Sequence, residues 1–294
     1  MYSGSLVAIV TPMHADGSVD HDAWAQLIDW HIESGTSAIV VGGTTGESAT
    51  LAEAELRELA RRACAQAAGR VRIIVGAGTS STAGTVERVR SLCELPIDGL
   101  LLVTPAYNRP TQEGLYRHFA AAAAATRVPL ILYNVPSRTA VDMRAPTVAR
   151  LSQLPAVVAV KEALPQIERI RELKALCREG FQVLSGDDPT AREAVLAGAG
   201  GVISVTANVV PQAMARMMAA ALRGEHARAQ ALDAPLTGLH QALFLEANPI
   251  PVKWALAQMG RIETGIRLPL TPFAESFHAN LRTALASAGV RLAD

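Results

Sequence analysis

The sequence predicts an α/β fold, a (β/α)8 TIM barrel with a small C-terminal helical domain, and three observations carry that prediction. Eight short apolar runs recur along the chain, each beginning 20 to 33 residues after the last. Stretches with helical periodicity and a polar face lie between them. Beyond about residue 209 the apolar runs stop and only helical patterns remain. The spacing fits one strand, one helix and two short loops per unit. Eight such units favour a closed barrel over an open doubly wound sheet.

The expected strands are Leu6–Val10, Ala38–Val41, Val71–Val75, Gly99–Val103, Pro129–Tyr133, Ala156–Val160, Phe181–Leu184 and Gly201–Val205. Most are unbroken apolar stretches rich in β-branched residues, as befits strands buried on both faces of a parallel sheet. Between the first two, Ala23–Ser34 gathers Trp24, Leu27, Ile28 and Ile32 on one side of a helix. Thr50-Leu51-Ala52-Glu53 reads as a capping box opening a helix that runs to about Ala67. Asp188-Pro189 reads as a capping carboxylate before a proline at the first helical position. Further on, Val210–Leu222, His226–Leu245, Pro251–Gly260 and Pro272–Ala288 read as helices. The first completes the eighth unit, so the catalytic barrel is placed at 1–224 and the helical domain at 225–294.

With 294 residues, half of them hydrophobic and 18% charged, the chain can bury a large core. Net formal charge is zero and the basic residues are dispersed, which argues against nucleic acid or a membrane surface as a partner. Cys64, Cys93 and Cys177 are far apart and odd in number. They suit a reducing, cytoplasmic compartment rather than a disulfide framework or a metal site. The seven histidines are scattered, so neither a catalytic metal nor a cofactor is expected.

In a barrel of this kind the reactive groups stand at the C-terminal ends of the strands. After the second strand, Gly42-Gly43-Thr44-Thr45-Gly46-Glu47-Ser48 turns tightly and exposes backbone N–H groups. With no lysine at phosphate-loop spacing, a small carboxylate suits this nest better than a phosphate. An ordinary glycine-rich turn is the alternative. Tyr107 follows the fourth strand, Tyr133 closes the fifth, and Arg138 follows it. Capping the core with the ring is the usual fate of such tyrosines, but placed around one barrel mouth with Thr44 they could pass protons. Arg138 is either a surface side chain or a bidentate carboxylate clamp. The sixth strand, Ala156 to Val160, ends in Lys161. The chain has only three lysines, Lys161, Lys174 and Lys253; Lys174 falls on a polar helix face and Lys253 in the helical appendage. Arginine stays protonated, whereas a desolvated lysine can lose its proton and attack a carbonyl. A lysine, two tyrosines, Thr44 and Thr45 on a glycine nest, and an arginine suit a Schiff-base enzyme acting on a 2-oxo acid.

These residues also resemble a known family. Gly43-Thr44-Thr45-Gly46-Glu47-Ser48, Tyr107-Asn108-Arg109-Pro110, Tyr133-Asn134-Val135-Pro136-Ser137-Arg138-Thr139, Val160-Lys161-Glu162-Ala163 and Ser185-Gly186-Asp187-Asp188 all resemble the 4-hydroxy-tetrahydrodipicolinate synthase (dihydrodipicolinate synthase) family of pyruvate-dependent class I aldolases. The likeness continues through Gly201 to Asn208 and Asn248 to Trp254, so it spans almost the whole chain. It implies condensation of pyruvate with L-aspartate 4-semialdehyde on the way to diaminopimelate and lysine. By the resemblance Lys161 forms the imine, Tyr133 passes protons beside it, and Thr44 and Tyr107 complete a relay. Tyr107 would then come from a neighbouring subunit, in a homotetramer built as a dimer of dimers. Thr45 and Ile203 would contact pyruvate, Gly186 would belong to the substrate site, and Arg138 would hold the carboxylate of the aldehyde. Related N-acetylneuraminate lyases and sugar-acid aldolases generally lack the Ser-Arg pair that stands here at Ser137-Arg138. A catalytically silent paralogue would lack a relay member, and each is present.

Two departures from the family pattern are visible. Lysine-inhibited relatives line an interface site with polar side chains, and the matching positions here are Glu53, Leu56, Ser80, Gly84 and Ala106, beside Ser48 and Ala49. Weak or absent inhibition by lysine is therefore expected. After Lys-Glu-Ala the family commonly has Thr or Ser and then Gly, where this chain has Leu164-Pro165.

Overall fold

In a computed structural model, which describes residues 2–293, the eight apolar runs close into one parallel barrel in sequence order, with β1 returning to pair with β8. The units are β1 (Gly4–Ala8), α1 (His21–Glu33), β2 (Ala38–Val41), α2 (Glu53–Ala67), β3 (Arg72–Gly76), α3 (Thr82–Leu92), β4 (Gly99–Val103), α4 (Gln112–Ala125) and β5 (Leu130–Asn134). A four-residue turn, α5 (Pro136–Thr139), precedes α6 (Ala145–Ser152); β6 (Val157–Glu162), α7 (Ile167–Leu176), β7 (Gln182–Ser185), α8 (Ala191–Leu196), β8 (Gly201–Ser204) and α9 (Pro211–Leu222) complete the barrel. Beyond it lie α10 (His226–Asp233), α11 (Thr237–Ala242), α12 (Ile250–Gln258) and α13 (His278–Ser287).

Alternation along the strands sorts the core into two layers. Leu6, Ala8, Val40, Ile74, Leu101, Ile131, Tyr133, Ala159, Leu184 and Ile203 point inward and form one buried cluster. Their strand neighbours Val7, Ile39, Val41, Ile73, Leu100, Leu132, Val160 and Val202 point outward, into a second cluster shared with the helices. That outer cluster runs on without a break into Leu236, Leu239, Val252, Leu256 and Leu281 of the C-terminal helices. Removing one such fully buried aliphatic side chain would cost about 2–5 kcal/mol. The helices start where side-chain acceptors meet orphan N–H groups: Asp20 caps α1, Ser81 caps α3 and Thr111 caps α4.

Four local expectations need correction. In the capping box of α2 the carboxylate that takes the Ala52 N–H is Glu55, at 2.9 Å, not Glu53. Asp188 does not cap α8; its Oδ2 accepts from Val205 and Thr206 N–H at 2.8 and 2.9 Å, tying the end of β8 to the end of β7. The single helix expected over His226–Leu245 breaks at a 3-10 turn, Ala234–Leu236, where Pro235 lacks the N–H that a continuous helix needs. The last helix starts at His278 rather than Pro272, after a 3-10 turn at Glu275–Phe277. Among the described residues, no helix is long and apolar enough to cross a membrane.

Candidate active site

The C-terminal ends of the strands open onto a cavity of about 440 Å³. Its wall includes Gly43, Thr44, Thr45, Tyr133, Arg138, Lys161, Gly186, Asp187 and Asn248, with Phe244 and Ala247 from the chain that follows α11. Six of the eight residues singled out as candidates therefore meet in one space.

Lys161 stands at the penultimate position of β6, 5% exposed. Inward-pointing Ala159 and outward-pointing Val160 set its direction, so its side chain enters the barrel mouth. Its Nζ lies 4.4 Å from the centroid of the Tyr133 ring, which the β5–β6 register places directly opposite. Among the described residues, Lys161 Nζ has no hydrogen bond and no carboxylate partner. Gly186 packs against the lysine stem; a Cβ there would stand 2.8 Å from Lys161 Cε. Any larger residue would push the amine aside.

Across the mouth the glycine-rich turn folds back on itself. The N–H groups of Gly46 and Ser48 donate to the Gly43 carbonyl and that of Glu47 to the Thr44 carbonyl. Among the described residues, the N–H groups of Thr44 and Thr45 have no internal acceptor, which leaves two donors at the cavity wall. Gly42 needs its positive φ of 60°, and a Cβ there would sit 2.2 Å from Leu56 Cδ1. Asn248 Nδ2 donates to Thr45 Oγ1 at 3.0 Å, and the Asn248 carbonyl accepts from Arg138 Nη2 at 3.2 Å. One residue thus ties the nest to the arginine at the entrance. Burial raises the Asp187 carboxyl above the usual range, although Thr190 donates to it from both N–H and hydroxyl.

Two candidates lie apart. Ile203 belongs to the inner apolar layer rather than to the cavity wall. Tyr107 is 96% exposed at a φ of 71°, in the loop after β4, and does not reach the cavity of its own chain. A small cleft of about 40 Å³ beside the main cavity is lined by Thr44 and Tyr133 as well, together with Arg88 and Val103. Those two side chains therefore face both spaces.

Sequence reasoning missed three features. Lys253, read as an appendage lysine without a special setting, is 4% exposed and forms an ion pair with fully enclosed Glu47 of the nest. Asn248 was legible only as the first residue of the Asn248 to Trp254 stretch that shares the family likeness, with no role of its own. Glu162 and Asn134, one residue beyond Lys161 and Tyr133, are buried together on the outer face of the sheet. Among the described residues, the one cluster with metal-like spacing is exposed His14 and Glu263 with half-buried Asp20, and none of its members lines the cavity.

Comparison with known proteins fits this geometry. The model of the dihydrodipicolinate synthetase family matches residues 1–288. The chain belongs to that family. A 4-hydroxy-tetrahydrodipicolinate synthase from Thioalkalivibrio sulfidiphilus is 53% identical over 292 residues, covering 99% of each chain. One from Methylococcus capsulatus is 52% identical over 290 residues, covering 99% of this chain and 100% of that protein. The crystal structure of a chloride-inhibited dihydrodipicolinate synthase from Acinetobacter baumannii, complexed with pyruvate, superposes with a TM-score of 0.97 at 48% identity, covering 99% of this chain and 100% of that one. As a dihydrodipicolinate synthetase family member the chain is a lyase of the class I aldolase type, and the barrel mouth is the place where its family's chemistry would be sought.

Proposed function

We propose that the protein condenses pyruvate with L-aspartate 4-semialdehyde to give 4-hydroxy-tetrahydrodipicolinate, within diaminopimelate and lysine biosynthesis. The observation that carries this reading is a buried, unpaired lysine amine facing a cavity beside a tyrosine and opposite two free backbone donors. The amine of Lys161 adds to the keto carbon of pyruvate and water leaves, which gives an imine. The Thr44 and Thr45 N–H groups and the Thr45 hydroxyl suit the pyruvate carboxylate, with Gly186 at the cavity wall and Ile203 in the inner apolar layer. Loss of a methyl proton turns the imine into an enamine, whose carbon adds to the aldehyde carbon; the aldehyde oxygen takes up a proton. The amino group of the second substrate then closes the ring on the imine carbon and releases Lys161.

Tyr133, Thr44 and Tyr107 are the proton carriers in this scheme. Tyr107 is supplied by a neighbouring subunit, for which its full exposure and the cleft beside Thr44 and Tyr133 provide the opportunity. The assembly is a homotetramer, a dimer of dimers, working in the cytoplasm. Arg138, exposed at the entrance and steadied by the Asn248 carbonyl, clamps the carboxylate of the aldehyde. Residues 1–224 serve as the catalytic barrel and 225–294 as the helical domain that roofs its mouth with Phe244, Ala247 and Asn248.

Lysine inhibits this enzyme weakly or not at all. Leu56 is buried against the nest, and Glu53 is committed to Arg88, so little polar capacity is left for an effector at those positions. Substantial loss of activity at sub-millimolar lysine would refute this. The main test is to incubate the protein with pyruvate, reduce with borohydride and map the adduct. Modification of Lys161 is expected; an unmodified Lys161 would overturn the mechanism. A coupled assay with aspartate semialdehyde and a downstream reductase tests the second substrate.

A further inference from the structure

The strand ends that bring Tyr133 and Lys161 together inside the barrel carry a second pair on the opposite face. In the parallel β5–β6 ladder Tyr133 stands beside Lys161, and one step on Asn134 stands beside Glu162. Side chains alternate, so the first pair faces the cavity and the second faces the helix layer. Glu162 is fully buried there. Asn134 Nδ2 donates to both carboxylate oxygens at 3.1 Å, and Leu164 N–H donates to Glu162 Oε1 at 2.9 Å. The rest of Asn134 is also committed, with Nδ2 donating to Asp142 Oδ1 at 2.8 Å and Oδ1 accepting from Met143 N–H at 2.9 Å. Arg169 of α7 donates to Asp142 at 2.7 Å but comes only within 4.0 Å of Glu162. The Glu162 carbonyl, in turn, accepts from Gly186 N–H at 2.7 Å, the glycine that packs on the stem of Lys161.

A buried carboxylate with one distant cation is a poor way to stabilise a strand end, since an apolar residue of the same size avoids the desolvation cost. It is a good way to fix one, because hydrogen bonds set direction and spacing where packing sets only volume. We propose that Asn134 and Glu162 are positioning residues for the reaction: their hydrogen-bonded pair on the outer face holds the register at which Tyr133 and Lys161 meet on the inner face. The same carboxylate ties down Leu164, and so the segment carrying Ala163 of the cavity wall and the unusual Leu164-Pro165 step. This rests on reading Lys161 as the reacting amine and Tyr133 as its proton partner.

The clamp has a protonation state. Burial pushes the Glu162 carboxyl up to about 7, against the pull of the Leu164 N–H, Asn134 and Arg169, while Asp142 pushes it further up. Arg169 and Asp142 are the charged groups facing it, with Glu172 behind the guanidinium at 3.7 Å; Lys161 points the other way. As an anion Glu162 accepts every hydrogen bond offered. Once protonated, one oxygen becomes a donor facing the Asn134 amide, itself a donor, and the pair loosens.

Glu162→Gln presents a donor in that place at every pH, so it copies the protonated form in almost the same shape. Its kcat is expected to match wild type near about pH 6 and to fall about ten-fold behind near about pH 8.5, with the KM for pyruvate within about two-fold. Glu162→Leu should lose about ten-fold or more in kcat at both pH values, while pyruvate is still trapped on Lys161. Four results would overturn the proposal: wild-type turnover in either variant near about pH 8.5, a Glu162→Gln deficit that stays constant with pH, a change confined to KM, or an activity loss that merely follows the unfolded fraction by circular dichroism. If borohydride and pyruvate leave Lys161 unmodified in wild type, the reading of the site fails. If Lys161 is modified and the Glu162→Gln deficit is flat, only the clamp fails.

Discussion

Two lysines of this protein are buried to the same degree and live in opposite surroundings. Lys161 ends a barrel strand with its amine at a cavity, a tyrosine ring as neighbour and no carboxylate partner among the described residues. Lys253, in α12, is paired with Glu47, whose other oxygen accepts from Arg267 N–H at 3.2 Å. Burial holds the Lys253 ammonium below its ordinary pKa, while Glu47 pulls it back up. A buried charge that finds its counter-charge is structure; a buried amine left without one is available for chemistry. Strand alternation creates the difference at β6. Glu162 is the next residue after Lys161, yet it is turned to the other face, where it cannot pair with the amine.

The comparison is broken or upheld by truncating each lysine to a similar apolar shape. Lys161→Met is expected to abolish turnover, by on the order of a thousand-fold or more, and Lys161→Arg to do the same because a guanidinium stays protonated. Neither should lower the melting temperature much, since the native amine has no hydrogen bond or carboxylate to lose, only its place over the Tyr133 ring. A Lys161→Arg enzyme with appreciable turnover in the coupled assay would remove the chemical half of the contrast.

Lys253→Met should do the reverse. It strands the Glu47 carboxylate in the interior, a loss of about 3–5 kcal/mol of stability, and the double variant with Glu47→Gln should recover much of it. Urea unfolding of the two single variants and the double variant measures this directly. Because Glu47 sits in the glycine nest at a φ of 58°, the KM for pyruvate should also rise in Lys253→Met. Unchanged stability would mean that the pair is dispensable and that burial alone does not separate the two lysines.

Sequence and structure agree most where the signal is local and periodic. The eight strands and their order follow from apolar runs at regular spacing, since a parallel barrel strand must be apolar on both faces. Lys161, Tyr133, Thr44, Thr45, Arg138 and Gly186 were legible because the fold collects whatever stands at strand ends. The position of Lys253 was not legible, because its partner lies more than two hundred residues away and nothing in the short, mostly apolar helix around it reports a distant Glu47. Asn248 was hidden for the same reason: a turn residue becomes a bridge between Thr45 and Arg138 only after the chain has folded over the barrel mouth. Asp188 misled because Asp-Pro before a helix usually caps that helix, whereas here two N–H groups at the end of β8 compete for the carboxylate and win.

The smallest expected effect sharpens the contrast between the carboxylates that accompany the two lysines. Glu47 has a full cation beside it, and Glu162 has only amide donors and an arginine at 4.0 Å. With its carboxyl raised to about 7, Glu162 binds its proton more tightly folded than unfolded. Its favourable contribution is therefore complete below the unfolded value and is lost as pH rises through about 7, the opposite of an ordinary salt-bridged acid. The cost at alkaline pH is on the order of 3 kcal/mol. Glu162→Gln, which has no charge to desolvate, should be close to wild type in stability near about pH 5 and gain on it by up to that amount near about pH 8. Urea midpoints at the two pH values decide it, and a variant that is less stable than wild type at alkaline pH would refute the sign. A stability gain at the same pH where turnover is expected to fall would mark the ionised Glu162 as a group kept for placement of Lys161 rather than for the fold.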